Sequence, residues 1–380
     1  MSARTKNSLV TLIAALAGPG LALAHSDTDS VAANALLETP QIVDCTLENG
    51  DPAQCVEYVV KYLPDDLEIG PFCPATTGDV GGIWDWDGEN PGLYRIDADY
   101  LQMLADQGYV FFDENGTVNV FDIRVEGPTA PNECISGSVD ESVSMTVLIP
   151  MNPVMADTPT PLGTVAKVGL GVDGVPIFAD APSVLDRGHM PALDTCGGHV
   201  DPGGWFHWHA TATDIDTVFE TDEVAANCAN VPQDPAALFG YAFDGFAIYG
   251  SLEADGTTPA GLDACGGHVG PTADSDAPVY HYHASETFPN LPSCLVGVVA
   301  QDNFTTTAAQ GIGSARAEGG AAQGRPDFSQ AAAALGVDAS ALEEAMRAEG
   351  GRDADLAKVA ERLGVTVQML EEALPGPGRP

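Results

Sequence analysis

The sequence predicts a mainly β protein, with a duplicated β-rich body of sandwich- or barrel-like architecture followed by a small helical repeat module. Three observations support this fold class. Up to about residue 300, short β-branched and aromatic runs alternate with Gly, Pro and Asp turns. A segment of about 70 residues occurs twice within that body. Beyond the body, two helical patterns recur with an offset of 28 residues.

The charge of the chain excludes two classes of partner. The 380 residues include 55 Asp and Glu but only 14 Lys and Arg, a formal net charge of −41. Proteins that bind nucleic acids or anionic lipids need clustered basic charge, so we expect neither partner. Hydrophobic residues make up 44% of the chain, which is enough for a packed core.

The first 24 residues have the features of a secretory signal. Arg4 and Lys6 form a basic start, and an apolar run follows at residues 9–17. Ala22-Leu23-Ala24 then offers a small-residue cleavage site. A membrane anchor is the alternative, but Gly18-Pro19-Gly20 interrupts the apolar stretch and a spanning helix needs about 20 residues. We therefore expect export to the periplasm or the extracellular space, with a net charge of −43 after cleavage.

Composition divides the rest of the chain near residue 300. Residues 25–300 hold 43 acids and 5 bases, whereas residues 301–380 hold 12 and 7. The residues just after the boundary are rich in Ala, Gly and Thr, which is typical of a linker. The predicted segments are a signal peptide (1–24), an acidic β-rich N-terminal region (25–139), a duplicated domain (140–300), a flexible linker (301–325) and a helical repeat module (326–380).

Local patterns in the N-terminal region predict strands and two short helices. Residues 109–112 and 117–121 have the β-branched and aromatic content of strands. Between them, residues 113–116 resemble part of a calcium loop, but the closing Glu of an EF-hand is missing, so we interpret them as a hairpin turn. Helical patterns cover residues 53–62 and 98–107.

The C-terminal module repeats a helix, a Gly-Val turn with an Asp or Thr cap, and a second helix. Ala334-Leu335-Gly336-Val337 matches Arg362-Leu363-Gly364-Val365, and Leu342-Glu343-Glu344-Ala345 matches Leu370-Glu371-Glu372-Ala373. The layout is that of a helix-turn-helix, but an exported acidic chain meets no DNA. We expect a small packing module or a site for a protein partner.

The duplicated domain carries three motifs in the same order in each copy. They are an Asp-Gly hairpin turn, a Cys-Gly-Gly-His run and an aromatic-His-aromatic-His run. The first copy has Asp173-Gly174, Cys196-Gly197-Gly198-His199 and Phe206-His207-Trp208-His209. The second has Asp244-Gly245, Cys265-Gly266-Gly267-His268 and Tyr280-His281-Tyr282-His283. Six of the eight histidines therefore fall into two matched triplets.

Strand geometry brings the histidines of each triplet together. Residues two apart on a strand project to one face with Cα atoms about 6–7 Å apart, so the imidazoles of a His-x-His pair can reach one ion. The intervening aromatic side chains are then expected in the core. A Gly-Gly turn could bring in a third imidazole, and three histidines with an open position suit a catalytic or redox metal. The predicted metal ligands are His199, His207, His209, His268, His281 and His283.

Two alternatives remain open for these residues. The histidines could instead form a hydrogen-bonded ladder in a polar β core. Asp194 and Asp263 could orient imidazoles from behind or could cap turns.

All eight cysteines follow the signal, and an even number in an exported chain favours disulfides. Cys196 and Cys265 occupy matching positions in the two copies, and the next cysteines follow after 32 and 29 residues. This spacing predicts Cys196–Cys228 and Cys265–Cys294. The remaining cysteines leave Cys45–Cys55 and Cys73–Cys134.

The chain resembles the YHYH domain family over roughly residues 140–300. The family motif is present as Tyr280-His281-Tyr282-His283, and supporting matches lie at residues 240–250, 262–272 and 288–289. In the first copy, Phe206 and Trp208 replace the motif tyrosines. The resemblance implies that the chain shares the fold of this family, and it assigns no reaction.

Three functions compete at this point. The first is an exported metal-binding protein, with copper or zinc as the cofactor because imidazole suits both. The second is a three-His enzyme, a hydrolase or lyase or a cupin-like oxidoreductase. Residues 206–209 are similar to the paired-His strand of α-carbonic anhydrases, and residues 281–286 approach a cupin metal motif. The third is a non-catalytic surface module whose histidines are structural.

Overall fold

A computed structural model describes residues 30–65, 67–163, 166–211, 234–285, 290–314 and 356–373, together with Ala331, Leu335, Val337, Leu342 and Ala345. The predicted signal peptide and Cys228 lie outside the described residues. The strands are, in chain order, β1 (Gln41–Thr46), β2 (Pro52–Val60), β3 (Ile83–Trp86), β4 (Gly92–Arg95), β5 (Val120–Asp122), β6 (Cys134–Ser136), β7 (Met145–Pro150), β8 (Met155–Pro161), β9 (Lys167–Gly171), β10 (Pro176–Phe178), β11 (Gly198–Val200), β12 (Phe206–Trp208), β13 (Leu238–Ala242), β14 (Ala247–Tyr249), β15 (Gly267–Thr272), β16 (Ser275–His283), β17 (Cys294–Gly297) and β18 (Phe304–Thr306). The helices with described bounds are α1 (Ala98–Asp106), α2 (Val184–Arg187), α3 (Leu356–Leu363) and α4 (Val367–Ala373).

The duplication forms an eight-stranded sheet in the order β11-β12-β10-β9-β13-β14-β16-β15. At its centre β9 and β13 pair in antiparallel register, with Leu170 opposite Tyr241. Outward from this seam both halves repeat one pattern: a hairpin, then a parallel pair (β10 with β12, β14 with β16), then an antiparallel edge strand. The two copies are thus related by a pseudo-twofold axis, and the mainly β fold class is confirmed.

Asp-Gly turns close the hairpin of each copy, as predicted. Gly174 and Gly245 have φ values of 78° and 92°, which glycine adopts without steric cost. In each turn the Asp Oδ1 accepts a hydrogen bond from the residue that follows the glycine, Val175 or Phe246. These turns place β10 and β14 beside the strands that carry the His-x-His pairs.

A second sheet has the order β1-β2-β7-β18 and corrects two predictions. Residues 53–62 were predicted as a helix, yet residues 52–60 form β2. Val56, Tyr58 and Val60 are fully buried at alternate positions, which is the period of a strand. Pairing with β1 on one side and β7 on the other decides the conformation, because these long-range hydrogen bonds outweigh a local helical pattern.

The predicted linker at 301–325 begins too early. Within this range β18 pairs with β7, and Phe304 on β18 is 4% exposed and belongs to the main core. Ser314 forms an isolated β-bridge with Thr306. Residues 315–325 lie outside the described residues. The β2–β7 pairing also joins the predicted N-terminal region to the duplicated domain, because their strands share one sheet and one core.

The N-terminal region contributes a separate cluster of buried side chains around α1. This helix begins after Asp97, whose carboxylate accepts a hydrogen bond from Tyr100 N, and it buries Tyr100, Leu101 and Leu104. The helix predicted at residues 98–107 is confirmed. Residues 113–116 form a turn in which Asp113 accepts hydrogen bonds from two backbone amides, as the hairpin interpretation requires. The two-stranded sheets β3-β4, β5-β6 and β8-β17 complete the body.

The described part of the helical module agrees with the predicted repeat unit. α3 ends just before Gly364, which has φ 66°, and the Thr366 hydroxyl caps α4 by accepting from Met369 N. Residues from both copies share one buried cluster, which comprises Ala331, Leu335, Leu342, Ala345, Val359, Ala360 and Leu370. None of the described helices has the length and hydrophobicity that crossing a membrane requires.

Three disulfides have the predicted pairing: Cys45–Cys55, Cys73–Cys134 and Cys265–Cys294. Cys196 is also disulfide-bonded.

The Cys73–Cys134 disulfide should stabilise the protein more than Cys45–Cys55. The two close loops of 61 and 10 residues, and a longer loop removes more entropy from the unfolded chain. Replacing Cys73 and Cys134 by Ala should lower the free energy of unfolding by about 4 kcal/mol, and the same change at Cys45 and Cys55 by about 2.7 kcal/mol. Urea unfolding of both double variants measures the difference. An equal or reversed order would contradict the loop-entropy explanation.

Candidate metal centres

The histidines gather in two clusters, one in each copy. In the first, His209 Nε2 lies 2.9 Å from His207 Nε2 and 3.0 Å from His199 Nε2. His207 and His209 are 2% and 0% exposed. His199 lies on β11 directly opposite His207 on β12, so the antiparallel register delivers the third imidazole.

The second cluster repeats this geometry and adds a carboxylate. His281 Nε2 lies 2.9 Å from His283 Nε2 and 3.2 Å from His268 Nε2. Glu253 Oε1 lies 3.2 Å from His268 Nε2, and Glu253 Oε2 lies 3.7 Å from His283 Nε2. Either group of side chains could hold a metal ion, because its ligand atoms all lie within 4.8 Å of one another.

The two Gly-Gly turns are capped by aspartates. Asp194 Oδ1 accepts from Cys196 N and Gly198 N at 3.0 Å, and Asp263 Oδ1 makes the equivalent bonds with Cys265 N and Gly267 N. Of the two roles considered for these aspartates, the hydrogen bonds show turn capping. They act on the backbone of the turn that leads into His199 or His268.

Backbone carbonyls hold the imidazoles instead. The Nδ1 atoms of five histidines face a carbonyl oxygen at 2.6–3.3 Å: His199 to Pro191, His209 to Ala179, His268 to Ala260, His281 to Val279 and His283 to Gly250. A carbonyl oxygen only accepts, so each of these Nδ1 atoms carries the proton. In each such ring, when neutral, Nε2 is unprotonated and directs its lone pair into the cluster. Nδ1 of His207 has no hydrogen-bond partner among the described residues.

Burial keeps the rings of His199, His207, His209 and His281 neutral. It lowers the pKa of His199 and of His281 to about 4. Burial also holds the pKa of His207 and of His209 well below its usual value, and neighbouring imidazoles lower both further. Lone pairs about 3 Å apart repel each other unless a cation lies between them. One proton could bridge two of the atoms, whereas a metal ion could bind all of them.

An aromatic side chain between the paired histidines anchors each strand to its Asp-Gly turn. Trp208 Nε1 donates to Asp173 Oδ2 at 3.0 Å in the first copy. In the second, the Tyr282 hydroxyl donates to Asp244 Oδ2 at 2.6 Å and accepts from Val296 N. Trp208 and Tyr282 are fully buried, as predicted for the intervening aromatics. The replacement of tyrosine by Trp208 therefore preserves the hydrogen bond as well as the packing.

Sequence reasoning missed Glu253. It lies three residues after Gly250, whose carbonyl holds His283, and the equivalent position after Ala179 in the first copy is Pro182. In a chain with 55 acids a single Glu gives no signal of its own. Aligning the two copies from their Asp-Gly turns would have shown that a carboxylate stands at this position in one copy only.

Comparison with family models finds a match to "YHYH protein" over residues 146–261. The chain contains a YHYH domain. The matched part of the YHYH domain runs from β7 through the first histidine cluster and ends before Tyr280, so the second cluster lies beyond it except for Glu253. No curated protein matches this chain. No solved structure matches it either.

Replacing Tyr282 by Phe should lower the free energy of unfolding by about 1–3 kcal/mol, because the buried Asp244 carboxylate loses a donor. Burial raises the pKa of Asp244 above 3.8, and loss of the donor should raise it further. The folded state then holds a proton that the unfolded chain releases, so stability falls as the pH rises through the folded-state pKa. We expect the loss to be larger at about pH 8 than at about pH 4 in urea unfolding.

The matched control is Tyr280→Phe. The Tyr280 hydroxyl donates to Asp263 in an exposed hydrogen bond, so its loss should cost less than about 1 kcal/mol. Equal losses for both variants at both pH values would contradict the anchoring role of Tyr282.

Proposed function

We propose that this protein is an exported metal-binding protein that holds copper or zinc in its two histidine clusters. The observation that carries the proposal is the direction of the imidazole lone pairs. In the second cluster, three Nε2 atoms and a Glu253 oxygen converge, each 2.9–3.2 Å from a neighbour. Such an arrangement is repulsive without a cation and favourable with one.

The spacing of the nitrogens suits a first-row transition metal. Two ligand nitrogens about 2.0–2.1 Å from a tetrahedral zinc ion are about 3.3 Å apart. The Nε2–Nε2 distances of 2.9–3.2 Å are within a few tenths of that value. Imidazole is a common ligand of both copper and zinc. The carbonyls at Nδ1 supply the outer hydrogen bond that metal-bound histidines usually make.

The disulfides support the exported location. Disulfides persist in oxidising compartments and are rare in the cytosol. The three described pairs, together with the bonded Cys196, therefore favour the periplasm or the extracellular space.

Glu253 favours a second candidate function, a three-His metal-dependent enzyme. A carboxylate beside a histidine-bound metal can act as general base toward a metal-bound water. In the second cluster Glu253 can act as this base only if it is not itself a metal ligand. Turnover of an ester or of bicarbonate that Glu253→Gln abolishes, with metal content unchanged, would establish the enzyme in place of a binding protein.

Metal analysis of the mature protein, purified without a His tag, tests the proposal. We expect up to two equivalents of copper and zinc together, because each cluster offers one site. His207→Ala with His209→Ala should remove one equivalent, and His281→Ala with His283→Ala should remove the other. A content below about 0.2 metal per chain that neither double variant changes would leave the clusters as structural histidines in a surface module.

A further inference from the structure

The two clusters differ in charge, although their histidines are arranged alike. The second holds Glu253 with its side chain 19% exposed, and the first holds no carboxylate from the part of the chain that the structure describes. Among the described residues, no acidic side chain forms an ion pair with His199, His207 or His209. Pro182 stands where the second copy has Glu253, so this carboxylate belongs to the second copy alone.

Aromatic rings pack against His207 of the first cluster. The ring of His207 lies 4.9 Å from that of Trp205 and 5.1 Å from that of Phe178, and Phe304 packs on both aromatic residues. Trp205 and Phe178 are both fully buried. In the second copy Val279 replaces Trp205 and Tyr249 replaces Phe178. The first cluster is therefore apolar, and three neutral imidazoles are its only ligands among the described residues.

Ion charge decides which metal suits such an environment. Three neutral ligands leave the full charge of the ion uncompensated, and the cost of burying a charge rises with its square. A divalent ion would keep a charge of +2 in the first cluster, whereas Cu⁺ would keep +1. In the second cluster Glu253 reduces the charge of a divalent ion to +1, and carboxylate ligands suit harder divalent ions.

We propose that the first cluster, His199, His207 and His209, is a site for monovalent copper, and that the second, His268, His281, His283 and Glu253, is a site for a divalent ion such as Zn²⁺. This assignment rests on the metal-binding function proposed above. The duplication has thus produced two sites of different ion charge on one scaffold.

Anaerobic titration of the metal-free protein with Cu⁺ and with Zn²⁺, each against a chromophoric chelator, tests the assignment. The wild-type protein should bind one equivalent of each ion simultaneously. Glu253→Gln should weaken Zn²⁺ binding by about 10–100-fold and change Cu⁺ binding by less than about threefold. His209→Ala should abolish the Cu⁺ equivalent, and its counterpart His283→Ala should abolish the Zn²⁺ equivalent.

The outcomes separate the two proposals. Competition of both ions for one cluster, or loss of Zn²⁺ in His209→Ala with retention in Glu253→Gln, would overturn the charge assignment and leave metal binding intact. Binding of neither ion by the wild-type protein would overturn metal binding itself.

A second experiment needs no variant and so does not depend on whether the variants fold. It is anomalous diffraction from wild-type crystals loaded with both ions. Copper located at His209 and zinc at His283 would confirm the assignment, and the reverse would refute it.

Discussion

The hydrogen bonds from imidazole Nδ1 atoms to main-chain carbonyls determine what the two clusters can do. Because a carbonyl cannot donate, it fixes the tautomer of the ring and directs the other nitrogen inward as a lone pair. The carbonyls that hold His209 and His283, those of Ala179 and Gly250, directly follow β10 and β14. The position and tautomer of His209 and His283 therefore depend on the register of the parallel pairs β10–β12 and β14–β16.

The aromatic anchors explain why each His-x-His pair stands beside an Asp-Gly turn. Trp208 and Tyr282 donate to the carboxylates of Asp173 and Asp244, which also shape the hairpin turns by accepting from the amide two residues further on. In each copy, hydrogen bonds thus connect the Asp-Gly turn to the buried aromatic side chain that lies between the two histidines. This connection tolerates exchange of tyrosine for tryptophan, since both rings present a donor at their outer end.

Sequence periodicity predicted the parts of the structure that local chemistry controls. The paired histidines follow from the two-residue period of a strand, α1 from its pattern, and the hairpins from Asp-Gly. The sequence-based predictions were wrong where pairing with distant strands determines the conformation. Residues 52–60 are a strand because β1 and β7 flank them, and Phe304 belongs to the core because β7 offers an edge to β18. Glu253 was missed because it lies on a loop, and the conformation of a loop leaves no periodic pattern in the sequence that would place its side chain beside the histidines.

The seam between β9 and β13 has a consequence for how a single copy of the repeat would behave. Half of the eight-stranded sheet would leave β9 or β13 as an open edge, with unpaired backbone groups and the buried Leu170 or the nearly buried Tyr241 exposed. Gly169 and Gly240 allow the close approach of these two strands, since a Cβ at either position would collide with the opposing strand. An isolated copy would satisfy the edge by pairing with its twin. Joining both copies in one chain turns that dimerisation into an intramolecular event that no longer depends on protein concentration.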